Sequence, residues 1–313
     1  MSTAAALATP TTSVVVVSRD EPALDATLAA LATAGPDVET IVVDASAGRL
    51  DPIRDRHPHV RWFAFTPPPG VRTSIAHQRN VGVAVSRGDV VVFTDAGCVP
   101  AEGWLATLLA PILSGEDTVA CGPAVSPGHD LYGGVAQRGT DRYVDDAPTI
   151  NLAFRRTAFD EVGGFDERFA YGSDVDFTWR LAAAGHRARN VVGAVVTHDW
   201  GVPRRQLRRA HAYGRARVRL YAKHRDRLPR LLRHDPVPVV YAAFLLGLPL
   251  AVRRPGYLLL LTVPLVRNRR HRPLLTLADH LAYGAGVLRE LPVLLPRRSA
   301  RPSVLTQASE ETR

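Results

Sequence analysis

Short β-branched apolar runs alternate with helical patterns along residues 13–200, and this alternation constrains the fold more than any other feature of the chain. The runs SVVVVS (13–18), TIVVD (40–44) and DVVVFT (89–94) are typical of buried strands. Between the first two, leucines recur at helical spacing over residues 22–34. Alternation of this kind predicts an α/β fold with a mainly parallel sheet and helices on both faces.

The chain changes character after residue 118. Residues 118–125, 149–155 and 187–197 predict further strands, and residues 174–184 predict a helix. The polar, Gly-rich stretch 126–148 is long for a connection without structure, so we predict a mobile segment that covers a substrate.

Charge divides the chain into two parts. Residues 1–200 hold 16 basic and 24 acidic side chains, a net of −8, whereas residues 201–313 hold 23 and 6, a net of +17. The overall +9 hides this split. We predict five regions: a disordered leader without signal-peptide features (1–12), a globular α/β domain (13–200), a basic helical segment (201–235), an apolar helical region (236–298) and a disordered tail (299–313).

Polar motifs follow the apolar runs of the α/β domain. In VVFTDAGCVP (91–100) a strand delivers Asp95 at its carboxyl end, where open parallel sheets bind ligands. Other motifs occur at matching intervals: VDAS (43–46), QRNVG (78–82), GGFDE (163–167), GSDVDF (172–177) and WRL (179–181). Together, in this order, they resemble family 2 glycosyltransferases, which have a nucleotide-diphospho-sugar transferase (GT-A) fold.

The resemblance implies four residues that bind the nucleotide. Arg19 and Glu21 lie in the turn after the first strand, which cradles the base in the family. Asp44 matches an acid that accepts a hydrogen bond from the base, although an aspartate here also suits a cap for the next helix. Arg79 matches a basic residue beside the phosphates, where a bidentate cation suits phosphate oxygens.

The resemblance also implies a divalent metal, Mg²⁺ or Mn²⁺. Asp95 matches the first acid of the family's Asp-x-Asp motif, whose carboxylates and the diphosphate oxygens together hold a hard cation. Gly97 replaces the second acid, and this departure puts metal dependence in doubt. His198 matches a position that supplies an imidazole ligand in the family, with a capping role at the strand end as the alternative.

Asp174 matches the catalytic base of inverting members, which takes the proton from the acceptor hydroxyl. Ser173 stands where the family's acidic pair has its first acid, so this motif is incomplete. The alternatives are that Asp176 is the base, or that Asp174 only caps the helix.

Three further matches concern the rest of the domain. Asn151 matches a position lining the donor-sugar pocket, and Asp166 is a second residue predicted to reach the sugar hydroxyls. Gln206 and Arg209 match part of the Gln-x-x-Arg-Trp motif of processive members, but the Trp is absent, and we interpret this match as chance in an Arg-rich stretch.

The basic tail favours an anionic membrane surface as its partner. Residues 204–233 hold eleven Arg and one Lys against one acid, and two uncharged apolar runs follow, 236–252 and 255–266. Each juxtamembrane basic residue contributes roughly 1 kcal/mol to membrane binding. Nucleic-acid binding is disfavoured because stacking aromatics and a known binding motif are lacking. The positive-inside tendency predicts a location on the cytoplasmic side of the cell membrane, with the runs either spanning the membrane or lying on it.

The sequence therefore predicts a membrane-associated enzyme that moves one sugar from a nucleotide-diphospho-sugar to an acceptor, with inversion. Lipid-linked, cell-envelope and secondary-metabolite acceptors all remain open. The alternative is a catalytically inactive scaffold of the same fold, which Gly97 and Ser173 motivate. A dinucleotide-dependent oxidoreductase is disfavoured because no G-x-G-x-x-G follows the first strand.

Overall fold

A computed structural model describes residues 11–33, 35, 38–67, 75–126, 142–199, 201–267 and 272–294. The predicted tail and all but the last two residues of the predicted leader lie outside this part of the chain. So does most of the segment predicted to cover a substrate, of which only residues 126 and 142–148 are described.

Two sheets and their helices form the α/β body, residues 12–199. Its strands are β1 Thr12–Ser18, β2 Val38–Asp44, β3 Arg61–Ala64, β4 Val90–Asp95, β5 Cys98–Pro100, β6 Val119–Cys121, β7 Ala124–Val125, β8 Tyr143–Val144, β9 Asn151–Arg155, β10 Ala188–Asn190 and β11 Val196–His198. Its helices are α1 Leu24–Leu31, α2 Asp51–Arg56, α3 Ile75–Val85, α4 Trp104–Leu113, α5 Arg156–Val162 and α6 Ser173–Ala183.

The larger sheet has eight strands in the order β3-β2-β1-β4-β9-β6-β10-β8. Strands β3, β2, β1 and β4 run parallel, whereas β9 is antiparallel to both β4 and β6. The predicted α/β fold with a mainly parallel sheet is thus confirmed. Because β1 pairs with β2 on one side and β4 on the other, Ser18 lies opposite Asp44 and Val17 lies opposite Asp95. One edge of the sheet therefore presents Asp44 and Asp95 on either side of β1.

The predicted strands 118–125 and 187–197 were wrong as continuous elements. Each divides in two, and its second half (β7 or β11) leaves the large sheet to form a three-stranded sheet in the order β5-β11-β7. The division lies where the two segments cross, because a side chain at Gly122 would collide with the backbone carbonyl of Ala194. The second sheet places His198, at the end of β11, opposite Cys98.

A C-terminal helical region, residues 203–294, follows the α/β body. Its elements are α7 Pro203–Lys223, a 3₁₀ turn Arg225–Arg227, α8 Leu228–Arg233, α9 Val237–Leu246, α10 Leu250–Arg253, a 3₁₀ segment Pro255–Leu261, α11 Thr262–Arg267 and α12 Pro273–Leu294. Helices α7 and α12 approach closely, since a side chain at Gly214 would collide with the carbonyl of Tyr283. Fully buried Glu290 joins the same two helices through Arg215 (2.7 Å) and Arg219 (2.5 Å).

Ion pairs fasten the basic helical region to the acidic body. Arg217 on α7 contacts Asp146 at 3.1 Å and Asp235 at 2.8 Å, and Arg230 on α8 contacts Asp145 at 2.6 Å. Part of the opposite charge of the two regions is therefore neutralised where they meet.

Within the described residues, the structure contains no helix whose length and apolar character would suffice to cross a membrane.

Candidate active site

A cleft of about 300 Å³ lies at the carboxyl edge of the large sheet, where β1 and β4 end. It is lined by Val17, Ser18, Arg19, Glu21, Ile75, Gln78, Asp95, Ala96 and Arg205. Three of the residues predicted from the sequence, Arg19, Glu21 and Asp95, therefore share one cavity.

Two buried polar residues fix the shape of this edge. Gln78 on α3 donates hydrogen bonds to the carbonyls of Ser18 and Val43, each at 3.1 Å, and so ties α3 to the ends of β1 and β2. Asp44 is buried and accepts hydrogen bonds from the backbone N–H of Ser46 (3.1 Å) and from its hydroxyl. The Ser46 hydroxyl in turn accepts a hydrogen bond from the N–H of Asp20 at 2.7 Å. Asp44 thus organises the turn that carries Arg19 and Glu21.

Arg79 joins two motifs that are 94 residues apart in the chain. Its Nη1 donates to the hydroxyl of Ser173 at 3.0 Å, and its guanidinium lies over the ring of Phe165, 5.6 Å from the centroid. Arg79 is only 5% exposed, and its buried Nε has no hydrogen-bond partner among the described residues. A buried cation with an unused donor is suited to binding an anion.

Asp174 lies in the first turn of α6. The helix is preceded by Gly172, whose φ of +78° favours glycine, and no side chain caps it. Asp174 accepts a hydrogen bond from the N–H of Val175 at 2.9 Å and remains partly exposed. The alternative base, Asp176, is fully buried between Arg180, Lys223 and His224. Of the two acids, Asp174 is the one that solvent reaches.

The pKa of Asp95 is affected by several of the residues predicted from the sequence. Burial raises the pKa of its carboxyl above the ordinary value, and the charge of Asp174 raises it further, whereas Arg79, His198 and Arg209 act in the opposite direction. Asp174, Arg79 and His198 therefore lie within electrostatic reach of Asp95. A buried carboxylate with a raised pKa gains most when a cation binds beside it.

Gly97, which replaces the expected second acid, faces His198. Its φ of +91° is a conformation that L side chains rarely adopt, and a side chain built there would lie 3.5 Å from the His198 imidazole. The position thus suits glycine because of its backbone conformation, whereas a Cβ there would make only an ordinary van der Waals contact with the imidazole.

The donor set fits a divalent cation that the substrate helps to hold. Asp95 offers carboxylate oxygens and His198 an imidazole, and the described residues contain no group of three or more His, Cys, Asp or Glu side chains that could hold a metal. Mg²⁺ is commonly bound through one or two carboxylates, with substrate phosphates supplying further ligands.

Two of the predicted pocket residues are engaged elsewhere by their own contacts. Asn151 is fully buried, and its amide donates to the carbonyls of Pro123 (3.1 Å) and Ala194 (2.7 Å) while accepting from the indole of Trp104 (2.9 Å). It joins the two sheets, and no polar atom is left for a sugar. Contact with a sugar therefore stays a prediction without support from this arrangement.

Asp166 is bound by cations. It lies 2.7 Å from Arg168 and 2.8 Å from Lys223 of α7, and these partners hold the pKa of its carboxyl well below the usual range. The contacts place it in the joint between the body and α7, so its predicted role at the donor sugar likewise has no support here.

Helix α7 contributes residues that the sequence reasoning missed. Arg205 lines the cleft and lies 3.9 Å from Glu21, and the charge of Arg209 acts on Asp95 and Tyr213. Burial raises the pKa of Tyr213, and the nearby Asp174 and Asp95 raise it further. The available signal was the partial Gln-x-x-Arg match, whose arginine is Arg209.

The order and pairing of the strands correspond to a GT-A-like α/β fold. A family model described as Glycosyl transferase family 2 matches residues 13–165. The match covers 153 of the 313 residues, just under half of the chain, and these residues are similar to the family.

Two curated relatives show how far the similarity extends. A pre-mycofactocin glycosyltransferase of Mycobacterium tuberculosis is 35% identical over 179 residues, which cover 50% of this chain and 37% of the relative. Glycosyltransferase AglE of Haloferax volcanii is 26% identical over 165 residues, which cover 49% of this chain and 53% of the relative. The chain thus spans about a third to a half of these relatives.

Solved structures share the fold. A mannosyltransferase from Pyrobaculum calidifontis, in complex with GDP-Man and Mn²⁺, matches with a TM-score of 0.64 at 20% sequence identity. The match covers 90% of this chain and 87% of the mannosyltransferase chain. GalNAc-T7 with UDP, GalNAc and Mn²⁺ matches with a TM-score of 0.51 at 17% identity over 68% of this chain and 51% of its own.

Proposed function

We propose that this protein transfers a single sugar from a nucleotide-diphospho-sugar to a hydroxyl of an acceptor, with inversion at the anomeric carbon. One observation carries the proposal. The hydrogen bond from Arg79 to Ser173 holds the start of α6, with Asp174, against α3, and the charges of Arg79 and Asp174 both act on the carboxyl of Asp95. A buried cation suited to a phosphate and a partly exposed carboxylate thereby lie near each other, and both act electrostatically on Asp95, which lines the cleft.

The donor lies along the cleft in this proposal. Its base sits at the β1–β2 end, where Asp44 and the Arg19–Glu21 turn meet. Its diphosphate lies toward Arg79 and Arg209, which supply charge-assisted hydrogen bonds. The similarity of residues 13–165 to the family model and the similarity to the relatives support a nucleotide-sugar donor. The structural neighbours hold GDP-Man in one case and UDP in the other, so the nucleotide is a variable to be tested.

Asp95 and His198 would hold a divalent cation together with the diphosphate, as Mn²⁺ is present in both structural neighbours. Such a cation supplies Lewis-acid neutralisation of charge on the leaving diphosphate. Asp174 accepts the proton of the acceptor hydroxyl as its oxygen attacks the anomeric carbon and the bond to the diphosphate breaks. Because one displacement occurs, the configuration inverts.

The acceptor is proposed to be a lipid-linked, cell-envelope or secondary-metabolite hydroxyl compound. The support is the composition of the C-terminal region, which combines a net charge of +17 with two uncharged apolar runs. That composition suits work close to a membrane.

A thermal-shift screen tests the donor. UDP-, GDP- and dTDP-sugars are added with and without Mn²⁺, and at least one is expected to raise the melting temperature, since a ligand of the native state stabilises it by mass action. If no nucleotide sugar raises it under either condition, the proposal is overturned.

The role of Asp174 is tested by substitution. D174N is expected to lower donor turnover by about 10²- to 10⁴-fold while keeping the donor-induced thermal shift. The matched control is D160N, on an exposed face of α5, which is expected to keep both. A wild-type protein that binds donor yet turns over with no acceptor fraction would instead establish the inactive scaffold, which Gly97 and Ser173 motivate.

A further inference from the structure

The C-terminal region exposes a continuous run of apolar side chains. From Leu246 to Val266, nine large apolar residues are exposed to solvent, with Val252 87% and Leu259 67% accessible. In the whole described α/β body, only four such residues are exposed. We call the residues 246–266 the apolar surface. Large exposed apolar patches mark sites where a partner or a membrane is bound.

Arginines lie within this surface, and acids are excluded from it. Exposed Arg253 ends α10, exposed Arg254 lies between α10 and the following 3₁₀ segment, and exposed Arg272 precedes α12. No acid occurs between Asp235 and Asp279, a stretch that contains six arginines. The acids that follow on α12, Asp279 and Glu290, are 5% and 0% exposed, so neither presents charge to solvent.

The positions of these charges decide how the surface can be covered. Arg253 and Arg254 interrupt the apolar run near its middle, so a partner that covers residues 246–266 must satisfy both apolar groups and two cations. The boundary between acyl chains and anionic headgroups offers both, because the acyl chains take up the leucines and the headgroup phosphates pair with the guanidinium groups.

The surface is held in a defined position relative to the cleft. Helix α12 packs on α9 and α11 as well as on α7, and the carbonyl of His211 on α7 leaves no space for a side chain at Gly286. Helix α7 itself carries Arg209, whose charge acts on Asp95.

From these observations we infer that residues 246–266 form an interfacial docking surface for a bilayer rich in anionic phospholipids, with the leucines and valines entering the acyl boundary and Arg253 and Arg254 binding headgroup phosphates. This inference goes beyond the proposed transfer reaction and does not depend on it, since lipid binding is measured without donor or acceptor.

Vesicle co-sedimentation of the full chain tests the inference. Vesicles of phosphatidylcholine alone are compared with vesicles that contain phosphatidylglycerol at 0.1 M NaCl. Strong binding is expected only with the anionic lipid, and it is expected to weaken at 1 M NaCl because salt screens exposed charges. Equal binding to both vesicle types, or no binding to either, would overturn the inference.

Two double variants test the residues. R253Q/R254Q is expected to lower the partition coefficient about 25-fold, at roughly fivefold per arginine. V252D/L259D is expected to lower it by at least about tenfold, because charged groups must enter the acyl boundary. The matched controls are R87Q/R187Q and L113D/V192D, which make the same changes at exposed positions of the α/β body. Controls that lose as much binding as the surface variants would overturn the assignment of the surface.

The other occupant to be tested is a second copy of this chain. Sedimentation velocity without lipid is expected to show wild type and V252D/L259D in the same oligomeric state. If the wild type is a dimer and the V252D/L259D variant is a monomer, the apolar surface is covered by a second copy of this chain and not by lipid. The donor-induced thermal shift of each variant is measured in parallel, so that loss of lipid binding and loss of the transferase site are distinguished.

Discussion

The α/β body and the C-terminal helical region are built on different principles. Strands such as β1 and β4 are buried along almost their whole length, and the core on both faces of the sheet comes from valines, leucines and phenylalanines. In the C-terminal region the buried apolar cluster that includes α9 and α12 consists of Val218, Ala242 and Val287. The body is thus stabilised by its own core, whereas the C-terminal region depends on close backbone packing and ion pairs.

The difference shows what each region is free to do. A body that buries its apolar groups can present polar side chains at one sheet edge without losing stability. Residues 246–294 of the helical region expose many of their leucines and bury both of their acids, Asp279 and Glu290, which leaves this surface apolar and basic. Helix α7 belongs to both regions, because it packs on α12, brings Arg205 to the lining of the cleft and carries Arg209, whose charge acts on Asp95.

The contrast in burial predicts the largest effect. L152A, at a fully buried position in β9, is expected to lower the free energy of unfolding by about 2–5 kcal/mol, because it leaves a cavity in the core. L259A, the same substitution at a 67% exposed position, is expected to change it by no more than about 0.5 kcal/mol. Urea unfolding followed by circular dichroism measures both. Similar losses would mean that Leu259 is packed in solution.

The shared helix predicts the next effect. If α7 belongs to the cleft, R209A is expected to weaken donor binding about 10- to 100-fold, the range for losing a hydrogen bond to a charged group. R208A, one residue earlier on an exposed face, is the matched control and is expected to bind donor as the wild type does. Calorimetric titration with the donor that gives the largest thermal shift checks this. If both variants weaken donor binding equally, α7 contributes only its overall positive charge and Arg209 has no specific role in binding the donor.

Close backbone packing predicts a smaller loss of stability. G214A places a methyl group against the Tyr283 carbonyl, and forcing the two helices apart is expected to cost about 1–3 kcal/mol. G256A is the control, because nothing lies within 4 Å of a side chain added there. Thermal unfolding compares the two, and an unchanged melting temperature for G214A would show that α12 is loosely attached.

The sequence was most informative where local pattern determines geometry. Parallel strands end at a common edge, so the positions of Asp44 and Asp95 follow from the two apolar runs that precede them. Arg79 and Asp174 were placed by motif resemblance, and the structure brings them together through Ser173. The departure at Gly97 also has a local cause, a left-handed backbone conformation facing His198.

Features that depend on long-range packing could not be predicted in this way. Helix α7 reaches the cleft because the chain returns across the body. The sequence alone therefore gave no reason to distinguish Arg209 from the neighbouring arginines. Asp166 pairs with Lys223, 57 residues later, and no local pattern records that contact. The division of two predicted strands arises where Gly122 meets Ala194, which are 72 positions apart in the printed sequence.

The smallest expected effect concerns the pH dependence of the C-terminal region. Burial lowers the pKa of His280 on α12, whose ring contacts Tyr241 with 4.8 Å between centroids. Because the unfolded chain binds a proton more readily there, the stabilising contribution of neutral His280 is complete above its ordinary pKa, about 6.5. That contribution is lost as the pH falls toward the lowered value.

Urea unfolding at pH 7, 6 and 5 checks this for the wild type and two variants. H280Q is expected to lose less stability between pH 7 and pH 5 than the wild type, because it lacks the buried titrating group. The control H234Q changes an exposed histidine and is expected to follow the wild type. A wild-type pH dependence that H280Q leaves unchanged would place the titrating group in the α/β body rather than in the helices. Helix α12 anchors the apolar surface. An unchanged pH dependence in H280Q would therefore also mean that this titration does not affect how the surface is held.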